Sequence, residues 1–449
     1  MDVVLLSRIQ FALTIGFHYI FPPVSIGLAL VLVIMEGLFL KTQNPLYRQM
    51  VHFWVRIFAL IFSLGVASGI VMEFEFGTNW ANYSRFVGDV FGSPLAAEGM
   101  FAFFLESTFL GILLFGWNRV GPKMHFFSTL MVALGSTMSA FWIIVANSWM
   151  QTPAGYHVVT EGSHRRAEIT DFWAMVFNPS SMDRFTHTMV GAWQAGAWLV
   201  VSVGAYYLLR KRHEAFSKAS IKIGLVIALV SSVLQLTTGH TSAIGVSKNQ
   251  PAKLAAFEGH YEKKAPAPLY LFGWVDEANE RVRFGLGFPG MLGVLISGDP
   301  KMQIQGLRAF PQEDRPPVQI VFQTYHLMVM IGMGLIGLSL LGVFLWWRGA
   351  LFQSKWMLYL LTIAFLGPQI ANQVGWVAAE VGRQPWIVYG LLRTYEGVSP
   401  VVSSAEVLAS ILMFSFIYLI LFVLFIYLMI RKIEKGPEEA MREGVPASY

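Results

Sequence analysis

The sequence predicts an all-α integral membrane protein of about nine transmembrane helices, and three observations carry that prediction. Of 449 residues, 55% are hydrophobic and only 13% charged, a balance outside the range of water-soluble globular domains. Apolar runs of roughly 20 residues or more, enough to cross a bilayer, recur at about 11–40, 53–76, 93–117, 125–148, 185–209, 221–238, 319–347, 357–380 and 405–430. The runs are continuous rather than alternating, which favours helices over barrel strands, because a helix satisfies its own backbone groups in lipid.

The first run starts almost at the N-terminus, exceeds a signal-peptide core and lacks small residues in a cleavage arrangement, so it is expected to be retained. It contains "GFHYIFPP", residues 16–23. Pro22 cannot donate to the carbonyl of His18, nor Pro23 to that of Tyr19, so a kink is predicted that makes room beside the imidazole. The second run ends in "MEFEFGTNW", residues 72–80, where an interfacial aromatic belt explains the tryptophan but not Glu73. The third holds "EGMFAFFLEST", residues 98–108; eight residues of α-helix would place Glu98 and Glu106 on one face about 12 Å apart along the axis. The eighth closes in "GWVAAEVGRQPW", residues 375–386, with Trp376, Glu380 and Arg383 at helical spacing.

Basic residues segregate into alternate loops. Lys41, Arg48, Arg119, Lys123, Arg210, Lys211, Arg212, Lys218, Lys222, Arg348, Lys355, Arg431, Lys432, Lys435 and Arg442 fall on one side. Arg8, Arg85, Arg165, Arg166, Arg184, Arg383 and Arg393 fall on the other. The richer side is expected to be cytoplasmic, with the N-terminus outside and the C-terminus inside. The chain then divides into residues 1–238 with six helices, an external segment 239–318 rich in Pro, Gly and charge, and 319–449 with three helices and a short cytoplasmic tail. A connector of such length is expected to bind something rather than merely to join helices.

Cysteine is absent, which excludes disulfides, iron–sulfur clusters and thiolate haem ligation. Charged and imidazole groups cost several kcal/mol in a bilayer and mark cavities or sites. On the expected topology His18, His187, Met328, Glu98 and Glu380, from five spans, share one outer layer. His187 with Met328 is a sensible axial pair for a low-spin haem, and His18 could supply the one ligand of a high-spin haem. Glu106, deeper in its span, suits a proton relay. Arg383 could pair with Glu380 or with a propionate.

These motifs, together with "LSRIQFAL", "VANSWMQTP", "KLAAFEG" and "GRQPW" in the same order, resemble subunit I of the bacterial cytochrome bd quinol oxidases over almost the whole chain. The resemblance implies a bacterial inner-membrane enzyme with two haems b and one haem d, which oxidises menaquinol or ubiquinol and reduces oxygen to water. It implies His187 and Met328 as low-spin haem b ligands, His18 as a high-spin ligand, and Glu98 or Glu380 at the other high-spin iron. Glu98, Glu106 and Glu380 are the expected catalytic carboxyls, while Arg8, Trp376 and Arg383 join the cofactor-binding set. Lys253 and Glu258 match the quinol-oxidising residues of the external loop. A homologous second large subunit, a small single-helix subunit and lipid are the implied partners, with nothing pointing to nucleic acid. The chain departs from some members in carrying His326 where they carry arginine, and it lacks the large loop insertion of others. The competing readings are a cofactor-free proton-coupled transporter and a diheme quinone-linked electron carrier.

Overall fold

The computed structural model describes residues 2–162 and 164–438; Arg442 lies outside the described residues. Sixteen α-helices follow one another: α1 Val3–His18, α2 Pro22–Thr42, α3 Pro45–Thr78, α4 Ala81–Ala97, α5 Phe104–Phe115, α6 Pro122–Gln151, α7 Phe172–Val176, α8 Ser181–Leu209, α9 Glu214–Asn249, α10 Pro251–Phe257, α11 Met291–Ser297, α12 Val318–Trp347, α13 Lys355–Ile363, α14 Leu366–Val381, α15 Thr394–Gly397 and α16 Ser404–Lys435. Three antiparallel hairpins join them: β1 Tyr156–Glu161 with β2 His164–Ile169, β3 Leu269–Asp276 with β4 Arg281–Phe288, and β5 Trp386–Val388 with β6 Leu392–Arg393. Among the described residues, nine helical segments are long and apolar enough to cross a membrane, as the sequence predicts.

The helices are shaped by local chemistry. The prolines of the first span end α1 at His18, and the chain closes the gap with a tight turn in which Phe21 N–H donates to His18 O at 3.1 Å before Pro22 and Pro23 start α2. Between α4 and α5, Glu98–Phe103 forms a π-helical segment, a form common at functional sites. Helix α9 continues to Asn249, past the expected end at 238, so the connection from α9 to α12 begins at about residue 250. Its last turns look polar in sequence, but their hydroxyls return to carbonyls of the same helix: Thr237 to Leu234, Thr241 to Thr238 and Ser247 to Ile244.

Helix α8 is the centre of the bundle, buried on nearly every side and packed on α2, α6, α9 and α13. At its crossing with α2 the backbones touch, and a Cβ on Gly27 or Gly196 would strike Ala192 O or Gly27 C. Trp54, Trp198, Leu28, Leu32 and Phe58 fill the main core around this crossing. By contrast α16 turns Leu412, Phe416, Leu419 and Val423 outward.

The three hairpins gather on one face of the bundle, called here the hairpin face. There α4 lays Tyr83, Phe86, Val87 and Val90 against a cap containing Trp149, Val176, Ile387, Val388 and Leu392. The segment after α9 is folded, with one small core on Val318, Val321 and Phe322 of α12 and another around Leu254, Leu292 and Ile296.

Candidate functional site

Helix α14 is the element against which the expected ligand-bearing helices converge. Asn372 Oδ1 would lie 2.8 Å from a Cβ on Gly191 of α8, and Gln373 donates to Gly16 O of α1 at 2.8 Å. Met328 Sδ of α12 would lie 2.7 Å from a Cβ on Gly375. Trp376 meets the Tyr19 ring edge-on at 5.5 Å and the Arg184 guanidinium at 5.3 Å. His187, one turn from Gly191 on α8, and Met328 therefore flank α14 at a common level.

A hydrogen bond sets the tautomer of His18. Ser68 Oγ donates to Leu64 O at 2.7 Å, so it accepts from His18 Nδ1–H at 3.0 Å. His18 Nε2 keeps a free lone pair, the form an iron ligand needs. Gly69 makes room, since a Cβ there would lie 3.2 Å from His18 Cε1. His187 Nδ1 contacts Thr238 Oγ1 at 3.1 Å, and Gln235 Nε2 stands 3.0 Å from both ring nitrogens, so the Gln235 amide lies over the edge of the imidazole.

Glu380 lies among cations. Arg383 Nη2 donates to it at 2.6 Å, Arg184 Nη2 stands 3.6 Å away, and Gln151 Nε2 donates to it at 3.0 Å. Arg184 also holds Asn147, and Lys253 Nζ donates to Gln151 Oε1 at 2.5 Å and to Gln250 Oε1 at 2.6 Å. Two guanidinium groups thus flank one carboxylate, with the Lys253 amine one hydrogen-bonded side chain away. Among the described residues, Arg383 Nε and Nη1 and Arg184 Nε are buried without a hydrogen-bond acceptor. Buried guanidinium groups left short of acceptors are costly unless an anion completes them. Haem propionates fit that need, and the His18 lone pair fits the iron.

The carboxyls of α5 and its π-helical lead face α6. Ser139 Oγ donates to Glu98 Oε1 at 2.7 Å, and Ser136 Oγ donates to Glu106. Since the intervening segment is π-helical, the 12 Å rise expected of a regular α-helix does not hold there. Nor does Glu98 share the level of Glu380. Their partners on α6, Ser139 and Gln151, are twelve residues or about 18 Å apart along the axis. The reason is that α4 precedes Glu98 in the hairpin-face layer, so the span does not start at that residue.

Lys253 and Glu258 do not engage each other. Lys253 is buried against the Glu380 cluster, and burial with the nearby Arg184 and Arg383 holds its ammonium well below the usual lysine range. Glu258 is fully buried on the other side of α10; its Oε2 accepts from Tyr270 N–H at 3.4 Å and its Oε1 has no partner. Burial pushes its carboxyl up to about 8. Arg8 is half-buried on α1.

Several polar groups escaped the sequence reading. Arg184, counted above with the loops, lies within α8 and its buried cluster. Of the two acids closing α3, Glu73 is exposed, whereas Glu75 is buried and accepts from Thr14 at 2.5 Å. On the face opposite the hairpins, Glu36 and His125 form a buried pair at 2.6 Å, and Thr129 donates to the second Glu36 oxygen at 2.5 Å. Glu36 and His125 lie singly in the sequence, without a motif to announce them.

The sequence profile of cytochrome bd terminal oxidase subunit I matches residues 6–437. Cytochrome bd ubiquinol oxidase subunit 1 of Bacillus subtilis (strain 168) is 39% identical, covering 100% of this chain and 97% of the relative. Cytochrome bd-II ubiquinol oxidase subunit 1 of Escherichia coli (strain K12) is 34% identical over 98% of each chain. The solved bd oxidase of Geobacillus thermodenitrificans superposes with a TM-score of 0.90 at 30% identity, over 97% of this chain and 99% of the other. A nine-span bundle with imidazole, carboxylate and guanidinium groups buried between its helices is thus the architecture of a multi-pass protein of the bacterial plasma membrane. The chain belongs to the cytochrome bd terminal oxidase subunit I family.

Proposed function

We propose that this chain is the haem-bearing subunit of a quinol:oxygen oxidoreductase. In this reading it oxidises quinol on the hairpin face, outside the cell, and takes the protons for water from the cytoplasmic face. Two haems b and one haem d are bound in this subunit, with a homologous large subunit and a single-helix subunit as partners. The observation that carries the reading is the set of unsatisfied groups around α14: the His18 Nε2 lone pair and the buried Arg383 and Arg184 nitrogens.

His187 and Met328 would hold the low-spin haem, His18 one high-spin iron, and Glu380 or Glu98 the other. When bound, the haems supply electron transfer and oxygen reduction. The protein supplies charge, access and protons. Arg383 and Arg184 would hold propionates, as guanidinium recognises carboxylates in paired hydrogen bonds. Trp376 and Arg8 belong to the same cofactor-binding set, Trp376 through its contact with the Arg184 guanidinium.

Glu258 is the proton acceptor for quinol. Its Oε1 has no partner, and a carboxyl near 8 gains and loses protons at working pH. Lys253 acts from the opposite side of α10, which it links to the Glu380 cluster through Gln151. Protons for water would pass by Glu106 and Ser136 to Ser139 and Glu98, four side chains that face one another between α5 and α6. Releasing quinol protons on one side and consuming protons from the other makes a gradient without a pump.

The test is turnover of the purified oxidase with quinol against an artificial electron donor in Glu258→Gln. The reading expects quinol oxidation to fall much further than dye oxidation; equal loss with both donors would contradict it.

A further inference from the structure

The hairpin β3–β4 is attached to α12 by a ladder of side chains at successive turns. Val275 N–H donates to Gln319 Oε1 at 2.8 Å, Gln323 Nε2 donates to Gly273 O at 2.7 Å, and His326 Nε2 donates to Tyr270 O at 2.9 Å. Residues 319, 323 and 326 share one helix face, so they match a strand running alongside. The last rung differs from the others. Tyr270, whose carbonyl takes the His326 proton, is also the residue whose N–H donates to Glu258 Oε2. That is the only hydrogen bond the Glu258 carboxyl makes among the described residues, because its Oε1 has none.

His326 is well placed to fix this residue. It is 3% exposed, its ring stacks on Phe322 at 3.9 Å, and Tyr325 meets it edge-on at 5.3 Å. A neutral ring has one proton to share between two nitrogens that both face carbonyl oxygens, and we place it on Nε2, toward Tyr270. Nδ1 faces Phe322 O at 2.8 Å, but that carbonyl sits within α12, whose own ladder can supply it with a donor. Tyr270 O is therefore the acceptor that depends on His326. His326 also lies two residues before Met328 on the same helix.

We propose that His326 is a positioning residue for quinol oxidation, acting through Tyr270 to orient the carboxyl of Glu258 and to tie it to the helix that carries Met328. The titratable groups around Glu258 are Tyr270 on β3, Tyr325 and His326 on α12 and, after α10, His260, whose ring bonds Pro268 O at 2.9 Å. The role rests on the reading of Glu258 as the proton acceptor.

The experiment compares His326→Leu, His326→Gln, His326→Asn and Gln323→Leu, with and without Glu258→Gln, in the assembled oxidase. It measures quinol oxidation against pH, dye oxidation and the low-spin haem spectrum. His326→Leu is expected to lower kcat/KM for quinol about tenfold, the usual effect of losing a buried hydrogen bond, and to move the pH midpoint of quinol oxidation. Dye oxidation and haem absorbance stay unchanged. His326→Gln, which still reaches Tyr270 O, restores most of the loss, and His326→Asn, too short to reach, does not. Gln323→Leu removes a rung of the same kind and leaves the pH midpoint in place. On the Glu258→Gln background, His326→Leu costs nothing further.

A full additional loss on that background, or equal behaviour of the Asn and Gln variants, would overturn the role of His326. Because the Asn and Gln variants keep a polar side chain, their comparison decides the matter even where the Leu chain does not assemble. Wild-type quinol oxidation by Glu258→Gln alone would instead overturn the reading of Glu258 itself.

Discussion

His18 Nδ1 lies 3.0 Å from Ser68 Oγ, a hydroxyl whose own proton is committed to the carbonyl of Leu64. The pair fixes one tautomer and turns the lone pair of Nε2 away from α3. An imidazole followed by two prolines is thus a ring held in ligand form at the end of α1, where the helix breaks and leaves space. His18→Ala is expected to remove one high-spin haem signature from the purified protein. Ser68→Ala keeps the haem and shifts its absorption, because the outer partner tunes the ligand without replacing it. Optical spectra of both variants check this.

The low-spin site gives a steric prediction. Met328 Sδ occupies the place a side chain on Gly375 would need. Gly375→Val is expected to abolish low-spin absorbance as completely as His187→Ala or Met328→Ala, while some high-spin haem remains. Unchanged low-spin bands in all three would remove the assignment.

Arg383 holds Glu380 at 2.6 Å and has two further buried nitrogens without acceptors. Replacement by leucine leaves Glu380 short of its nearest cation and removes a proposed propionate partner. Haem content measured after extraction should fall, with Arg383→Lys intermediate, since an ammonium keeps the charge but not the paired hydrogen bonds.

Glu106→Gln keeps the size of the side chain and a hydrogen bond to Ser136 but cannot exchange a proton. Turnover is expected to fall about a hundredfold, in the range of lost proton-transfer groups, with haem content intact. Proton uptake after an oxygen pulse is the measurement, and a normal uptake rate would count against the relay.

The proposed role of Glu258 sets an expected pH dependence of quinol oxidation. Burial favours its neutral form and raises it to about 8, so below that pH the carboxyl is protonated and cannot accept a proton from quinol. The rate should therefore rise with pH through about 8, and Glu258→Gln should flatten that limb.

The nine spans were readable in the sequence because the hydrocarbon demands length and continuity, and little else satisfies it. The break after His18 was readable for a similar reason, since two prolines remove identified hydrogen bonds. What could not be read was depth. Glu98 seemed to open a span, yet the seventeen-residue helix α4 lies before it in the hairpin-face layer, a placement decided by packing on Ile387, Val388 and Leu392 far along the chain. Arg184 resembled a loop cation for the same reason, because its partners Asn147 and Glu380 come from other helices. The end of α9 was misjudged because threonine and serine count as polar by composition but bond their own helix. Lys253 and Glu258 belong to one motif in the sequence, and the two turns of α10 send them to different partners.

The central claim is that the groups around α14 hold haem, and a reduced-minus-oxidised spectrum of the purified protein, with haem extraction and carbon monoxide added to the reduced form, tests it most directly. The account predicts b-type and d-type bands, both haems in the extract, and a spectral shift with carbon monoxide. A colourless protein, or a pair of b-type haems indifferent to carbon monoxide, would contradict it.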